Sequence, residues 1–227
     1  MIGAAEHPGQ QGPDAASGWV DGASVQAALE RVAARLIELR DVLNQLDAAT
    51  GDGDLGISAA KAGVAIRDFV AANVPGDDMG KFVAALGMAI NKAASSSMGA
   101  LTATALMRAG KEARGMARLN VTALTNMLRA ADAGIQERGQ ARPGDKTIVD
   151  ALHPAAEAFA VTIEQGHGLE VAADAMLIAA RAGRDAAIPL RSKIGRAAWV
   201  GERTENQPDP GTVLFVNILE AALGIHR

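Results

Sequence analysis

The chain has 227 residues, a formal net charge of −4 and no cysteine. That composition excludes disulfides and thiolate metal sites, and it offers no cationic block to meet a phosphodiester backbone or an anionic membrane. Apolar residues make up 49% of the chain but aromatics only 3%, with no tyrosine, so a core of Ala, Leu, Val, Ile and Met favours closely packed helices over a sheet.

Residues 1–20, rich in Gly, Pro, Gln and Ala, bury too little apolar surface to offset ordering entropy and are expected to form a flexible tail. The opening stretch has neither the basic start nor the apolar run of a secretory signal, and no apolar run reaches the roughly 18 residues of a spanning helix. A cytoplasmic protein with one all-α domain over 21–227 is therefore the expectation.

From Ser24, a candidate N-cap, Val25, Leu29, Val32, Leu36, Leu39, Leu43 and Leu46 recur at spacings of four and three, which predicts one helix ending at Asp47. Similar spacing predicts helices over 57–73, 79–93, 98–114, 119–138, 146–164, 168–186 and 212–225, each bounded by Gly, Pro, Asn or Asp. That makes eight amphipathic helices, and their short connections imply antiparallel neighbours. Two connections differ: the turn over 50–56, and the long polar stretch GRAAWVGERTENQPDPG over 195–211. A loop of that length inside a compact domain is usually functional or disordered.

The segment LDAATGDGDLG gathers Asp47, Asp52 and Asp54 at a helix end and in the following turn. Carboxylates that close repel unless a cation neutralises them, which points to a hard metal with oxygen ligands. Gly51, Gly53 and Gly56 are expected to permit positive φ and to leave backbone amides open to an anion. A calcium-binding EF-hand loop does not fit, because its twelfth position falls on Gly63 rather than Glu. Read as structure alone, the same residues are helix caps and turns.

In ASSSMGALTATALM, Ser95, Ser96, Ser97 and Gly99 open an apolar helix, where free amides and hydroxyls suit a phosphate but an ordinary serine cap would also account for them. In GDKTIVDAL, Asp145 or Thr147 starts a helix, with Asp150 as a routine complement to the helix dipole. The 195–211 stretch carries Arg196, Glu202, Arg203 and Asp209, and its Arg could clamp phosphate or pair with Glu at the surface. His7, His153, His167 and His226 have no ligand spacing and no nearby carboxylate motif, so they read as structural or surface groups, with His153 near a kink at Pro154. Neither a Walker-type loop nor a Rossmann fingerprint occurs.

Taken in order, LDAATGDGDLG, SSSMGAL, GDKTIVDAL and GRAAWVGERTENQPDPG resemble the L subunit of dihydroxyacetone kinase and the equivalent C-terminal domain of single-chain dihydroxyacetone kinases, over residues 24–226. The resemblance implies a closed antiparallel barrel of eight helices with ADP or ATP at one rim. Asp47, Asp52 and Asp54 then match the aspartates that bind two Mg2+ ions bridging the nucleotide phosphates. Leu55, Gly56, Ile57 and Ser58 match the segment beside the phosphates, and Ser96, Ser97 and Met98 match the phosphate loop. Gly139 and Ile148, with Thr147 adjacent, match positions lining the nucleoside; Arg196 and the Asp209, Pro210, Gly211 turn match the remaining contacts.

The chain departs from that pattern in four places: Leu55 stands where many relatives have His, Ser95 and Ser96 replace a Gly pair, Met98 replaces Ser, and Gln207 replaces His. Losing one hydroxyl donor at Met98 should weaken nucleotide holding by about 1 kcal/mol. The resemblance further implies a partner K subunit that carries the ketose as a covalent adduct on its own histidine, and this chain shows no obvious general base. It admits either a phosphotransferase-system M subunit or exchangeable ATP as donor, and a homodimer is compatible with it. Rival readings are a nucleotide-sensing regulatory or lipid-binding protein of the same fold, and a magnesium-dependent phosphohydrolase.

Overall fold

The computed structural model describes residues 18–225, which fold into ten α-helices and one 3-10 turn, with no strand among them. Residues 1–17 of the expected tail, together with His7 and His226, lie outside the described residues. Val20 belongs to the fold rather than the tail: it exchanges backbone hydrogen bonds with Leu119 in an isolated antiparallel bridge. Leu119, assigned by its period to a helix, is thereby the residue just before the Asn120 cap of the next one.

The helices are α1 (Gly22–Glu38), α2 (Arg40–Thr50), α3 (Leu55–Ala72), α4 (Met79–Ala93), α5 (Ser97–Glu112), α6 (Val121–Gly139), α7 (Val149–Glu164), α8 (Leu169–Ala187), α9 (Ala197–Val200) and α10 (Pro210–Ala222). The expected count of eight is corrected at two points. The first stripe is divided at Leu39, whose ψ of −3° bends the rod while its N–H still bonds Arg35 and its carbonyl still accepts from Leu43. No Gly or Pro marks that bend, and the stripe keeps burying Val32, Leu36, Leu39 and Leu43 across it. The long 195–211 stretch is not a plain loop but carries α9 and the 3-10 turn Gly201–Thr204. At the first cap, Asp21 rather than Ser24 serves, its carboxylate accepting the Ser24 N–H.

Around the molecule, the α1–α2 rod packs on α3, then α4, α5, α6, α7, α8 and α10 follow, and α10 packs back on α1. This eight-membered ring is the closed antiparallel barrel that the resemblance implied. Its closure is polar as well as apolar: Arg31 donates to the carbonyls of Ala221 and Ala222, and Arg35 to Asn217 Oδ1. Small residues let the backbones approach, so that a Cβ at Gly80 on α4 would lie 2.2 Å from Gly110 O on α5. Inside the barrel an apolar cavity of about 350 Å³ remains, lined among others by Leu29, Leu36, Ile66, Leu86 and Ile218. No helix of the described residues is long and apolar enough to cross a membrane.

Candidate functional site

At one end of the barrel, the α2–α3 turn, the start of α5, the end of α6, the start of α7, the segment before α9 and the start of α10 surround a second cavity of about 390 Å³. That size falls within the usual range of roughly 300–1,000 Å³ for small-molecule sites. Of the residues singled out from sequence, Asp47, Asp52, Asp54, Leu55, Ser58, Ser96, Ser97, Met98, Gly139, Thr147, Ile148, Arg196, Asp209, Pro210 and Gly211 line it. Gly56 and Ile57 do not. Gly56 faces α2, where a Cβ would lie 1.8 Å from Arg40 O, and Ile57 is exposed on the outer face, because a helix turns successive side chains about 100° apart.

The carboxylates of Asp47, Asp52 and Asp54 each bring one oxygen within 4.8 Å of the others. Asp47, in the last turn of α2, which runs on to Thr50 beyond the expected end, is oriented by the turn that follows: its Oδ2 accepts the N–H groups of Asp54 and Leu55, at 2.9 and 3.1 Å. Two amides of this turn, those of Asp54 and Leu55, are thus taken up by Asp47. The glycines also act differently from expectation. Of the three, Gly53 alone has positive φ, at 78°; Gly51 has φ −149°, and a Cβ there would lie 2.5 Å from Asp47 Oδ1 and push that carboxylate aside. Three hard oxygen donors with one held rigid fit a divalent cation such as Mg2+.

Facing this acidic wall is the start of α5. Ser96 caps the helix through Oγ, which accepts the Gly99 N–H at 3.1 Å, and the Ala100 N–H bonds Ser96 O. The amides of Ser97 and Met98 have no hydrogen-bond partner among the described residues, as the first turn of a helix requires. Two free amides at the positive end of a sixteen-residue helix can receive phosphate oxygens without a Met98 hydroxyl. Arg196 reaches across the cavity mouth to pair with Asp52.

The opposite wall is tied together by buried acids. Asp150, expected only to complement a helix dipole, accepts the N–H groups of Gly144 and Thr147 at 2.6 and 2.8 Å and so shapes the turn before α7; Ile148 stands at the cap position without a side-chain bond, and the Thr147 hydroxyl accepts the Val149 N–H at 3.2 Å. Asp209 caps α10, its Oδ2 accepting the Thr212 N–H at 2.7 Å. Burial pushes its carboxyl up to about 7; the Thr212 amide opposes this, Asp150 adds to it, and Lys146 opposes it. Lys146, Ile194, Ala141, Leu101 and Ile135 also line the cavity and were missed. The apolar ones carry no chemical signature in sequence. Lys146 stood inside a quoted motif, but a lysine in a turn reads as exposed until its burial is seen.

His153 lies outside the cavity, on α7, with no kink needed to explain it. A carboxylate does lie near it in space: Asp132 Oδ2 on α6 is 2.8 Å from its Nδ1. Pro154 sits within α7, which continues to Glu164. His167 is exposed.

The sequence profile of the DAK2 domain matches residues 49–224, and the chain belongs to this family. It is 30% identical over 220 residues to the human protein named triokinase/FMN cyclase, covering 95% of this chain and 37% of that protein. The PEP-dependent dihydroxyacetone kinase ADP-binding subunit DhaL of Escherichia coli is 29% identical, covering 78% of this chain and 84% of that subunit. Among solved structures, the dihydroxyacetone kinase of C. freundii in complex with AMP-PNP and Mg2+ superposes with a TM-score of 0.66 at 26% identity, over 100% of this chain and 37% of that one. The chain thus spans somewhat over a third of the larger relatives but most of the length of the separate ADP-binding subunit.

Proposed function

We propose that this chain is the nucleotide-binding part of a short-ketose kinase, taking ADP or ATP with Mg2+ and serving transfer of a phosphoryl group to dihydroxyacetone or a related ketose presented by a K-type partner. The observation that carries this reading is the opposition, across one cavity of about 390 Å³, of three clustered carboxylates and two unpaired helix N-terminal amides. It is supported by membership in a family with named ADP-binding subunits.

In this reading Asp47, Asp52 and Asp54 hold the cation, and the Ser97 and Met98 amides hold phosphate oxygens. Arg196 exchanges Asp52 for a phosphate, for which its planar fork is suited. Ile148, Leu101 and Ile135 offer the apolar surface for the nucleoside. Mg2+, when bound, supplies charge neutralisation of the transferring phosphoryl group. The chain contributes position and electrostatics. Replacing Asp52 by Asn removes a ligand and a charge, so calorimetry should show Mg-dependent ADP binding abolished in Asp52→Asn. Unchanged affinity in excess Mg2+ would count against the reading. Release of phosphate from a phosphorylated substrate without any partner chain would favour a hydrolase instead.

A second reading, carriage of a lipid, is favoured by one observation: the separate apolar cavity within the barrel. Mass spectrometry of the purified protein after organic extraction distinguishes an empty barrel from a filled one.

A further inference from the structure

Lys146 is 2% exposed, and its backbone takes the left-handed conformation, φ 59°, that L residues other than glycine seldom adopt. Its ammonium donates to three main-chain carbonyls, those of Ile188 at 2.7 Å, Leu190 at 2.9 Å and Thr204 at 2.5 Å. Three acceptors around one nitrogen require three N–H donors, so this geometry calls for the charged form. Burial pulls the ammonium below the ordinary lysine range, and the carboxylates of Asp209, Glu205 and Asp150 oppose that pull. With all donors used, Nζ has nothing left to offer a phosphate.

What the clamp holds is the cavity wall. Leu190 and Thr204 are the two feet of the segment that carries Ile194, Gly195, Arg196 and Ala197 into the site. The Ser192 N–H donates to Thr204 Oγ1 at 3.0 Å and the Lys193 N–H to Asp145 O at 3.1 Å, which closes the same base. Lys146 thus joins the foot of the Arg196 segment to Thr147 and Ile148, its own neighbours in the wall. Asp47, Asp52 and Asp54 stand on α2 or in the α2–α3 turn, and their link to the clamped segment is the Asp52–Arg196 ion pair, which a cation bound to Asp52 would replace.

We propose that Lys146 is a positioning residue for the nucleotide: its ammonium closes the base of the 190–204 segment and thereby sets Arg196 against the phosphates. This rests on the nucleotide reading above, and the test separates the two. Lys146→Met keeps the aliphatic stem and removes the charge. In the full chain, ADP affinity with Mg2+, measured by calorimetry, falls at least tenfold, whereas Mn2+ affinity without nucleotide, measured by electron paramagnetic resonance, does not fall. Amides over 191–204 exchange hydrogen at least tenfold faster in the nucleotide-free variant, and those of α3 and α5 keep their wild-type rates. Combined with Arg196→Ala, the loss of ADP affinity is less than the product of the two single losses, as expected when one residue acts through the other.

Wild-type affinity in folded Lys146→Met overturns the positioning role alone, and so does faster exchange spread evenly over every helix. Failure of the wild-type chain to bind ADP overturns the nucleotide reading and this role with it. Should Lys146→Met not fold, Thr204→Val decides, since it removes the acceptor of the Ser192 N–H and leaves the ammonium in place. It raises exchange over 191–204 and lowers ADP affinity by a smaller factor, and wild-type values for both overturn the proposal.

Discussion

Asp47 and Asp209 are both cavity aspartates, and the fold treats them in opposite ways. Asp47 spends one oxygen on two amides and stands in the acid cluster with Asp52 and Asp54. Asp209 is 7% exposed, and its carboxyl is pushed from 3.8 up to about 7 by burial. A carboxyl that holds its proton more tightly in the folded chain adds stability that is fully present at low pH and is lost as pH rises towards 7. Asp209→Asn keeps a cap oxygen for Thr212 and carries no charge. Urea midpoints should therefore show the variant gaining on the wild type between about pH 4 and 7, by a few kcal/mol at most, with a constant advantage above. Parallel curves over that interval would show that Asp209 does not titrate there.

At the scale of elements, helix contacts are set by where backbones touch. A Cβ at Gly80 would lie 2.2 Å from Gly110 O and 2.6 Å from Arg114 N, both main-chain atoms that cannot rotate away, whereas at Gly76 nothing lies within 4 Å. Gly80→Ala must separate α4 from α5 and should cost about 1–3 kcal/mol, while Gly76→Ala should stay within about 0.5 kcal/mol. Thermal unfolding of the two variants checks the difference, and equal midpoints would refute it. Helix existence was readable here from the 3.6-residue period, and Ser96 caps α5 as its residue type suggests, whereas Asn120, placed by the period inside a helix over 119–138, is the cap that precedes α6. The bend at Leu39 was not readable, because it has no breaker residue and its stripe runs on unbroken.

For the molecule as a whole, the proposed transfer to a ketose held on another subunit would require docking at the cavity mouth. Trp199 is 92% exposed on α9, the four-residue helix whose first residue, Ala197, lines that cavity. Large exposed aromatics of this kind commonly anchor interfaces. With a K-type partner and dihydroxyacetone present, Trp199→Ala should lower coupled turnover at least tenfold and leave calorimetric ADP affinity unchanged. Full turnover at limiting partner concentration would place the docking surface elsewhere.

Sequence alone determined the all-α class and the helix periods and drew attention to the clustered acids and serines, because periodicity and clustering are local properties of the chain; the other predicted residues that line the cavity were assigned to the site through the resemblance of four motifs to a family. Only the tertiary structure decided that Gly56 and Ile57 turn away from the cavity, that the turn amides grip Asp47, and that His153 meets Asp132. It also decided that Lys146 is buried among three carbonyls. Those facts depend on which faces meet when the ring closes, and contacts between residues 42 to 58 positions apart, such as those of Lys146, leave no mark on local pattern.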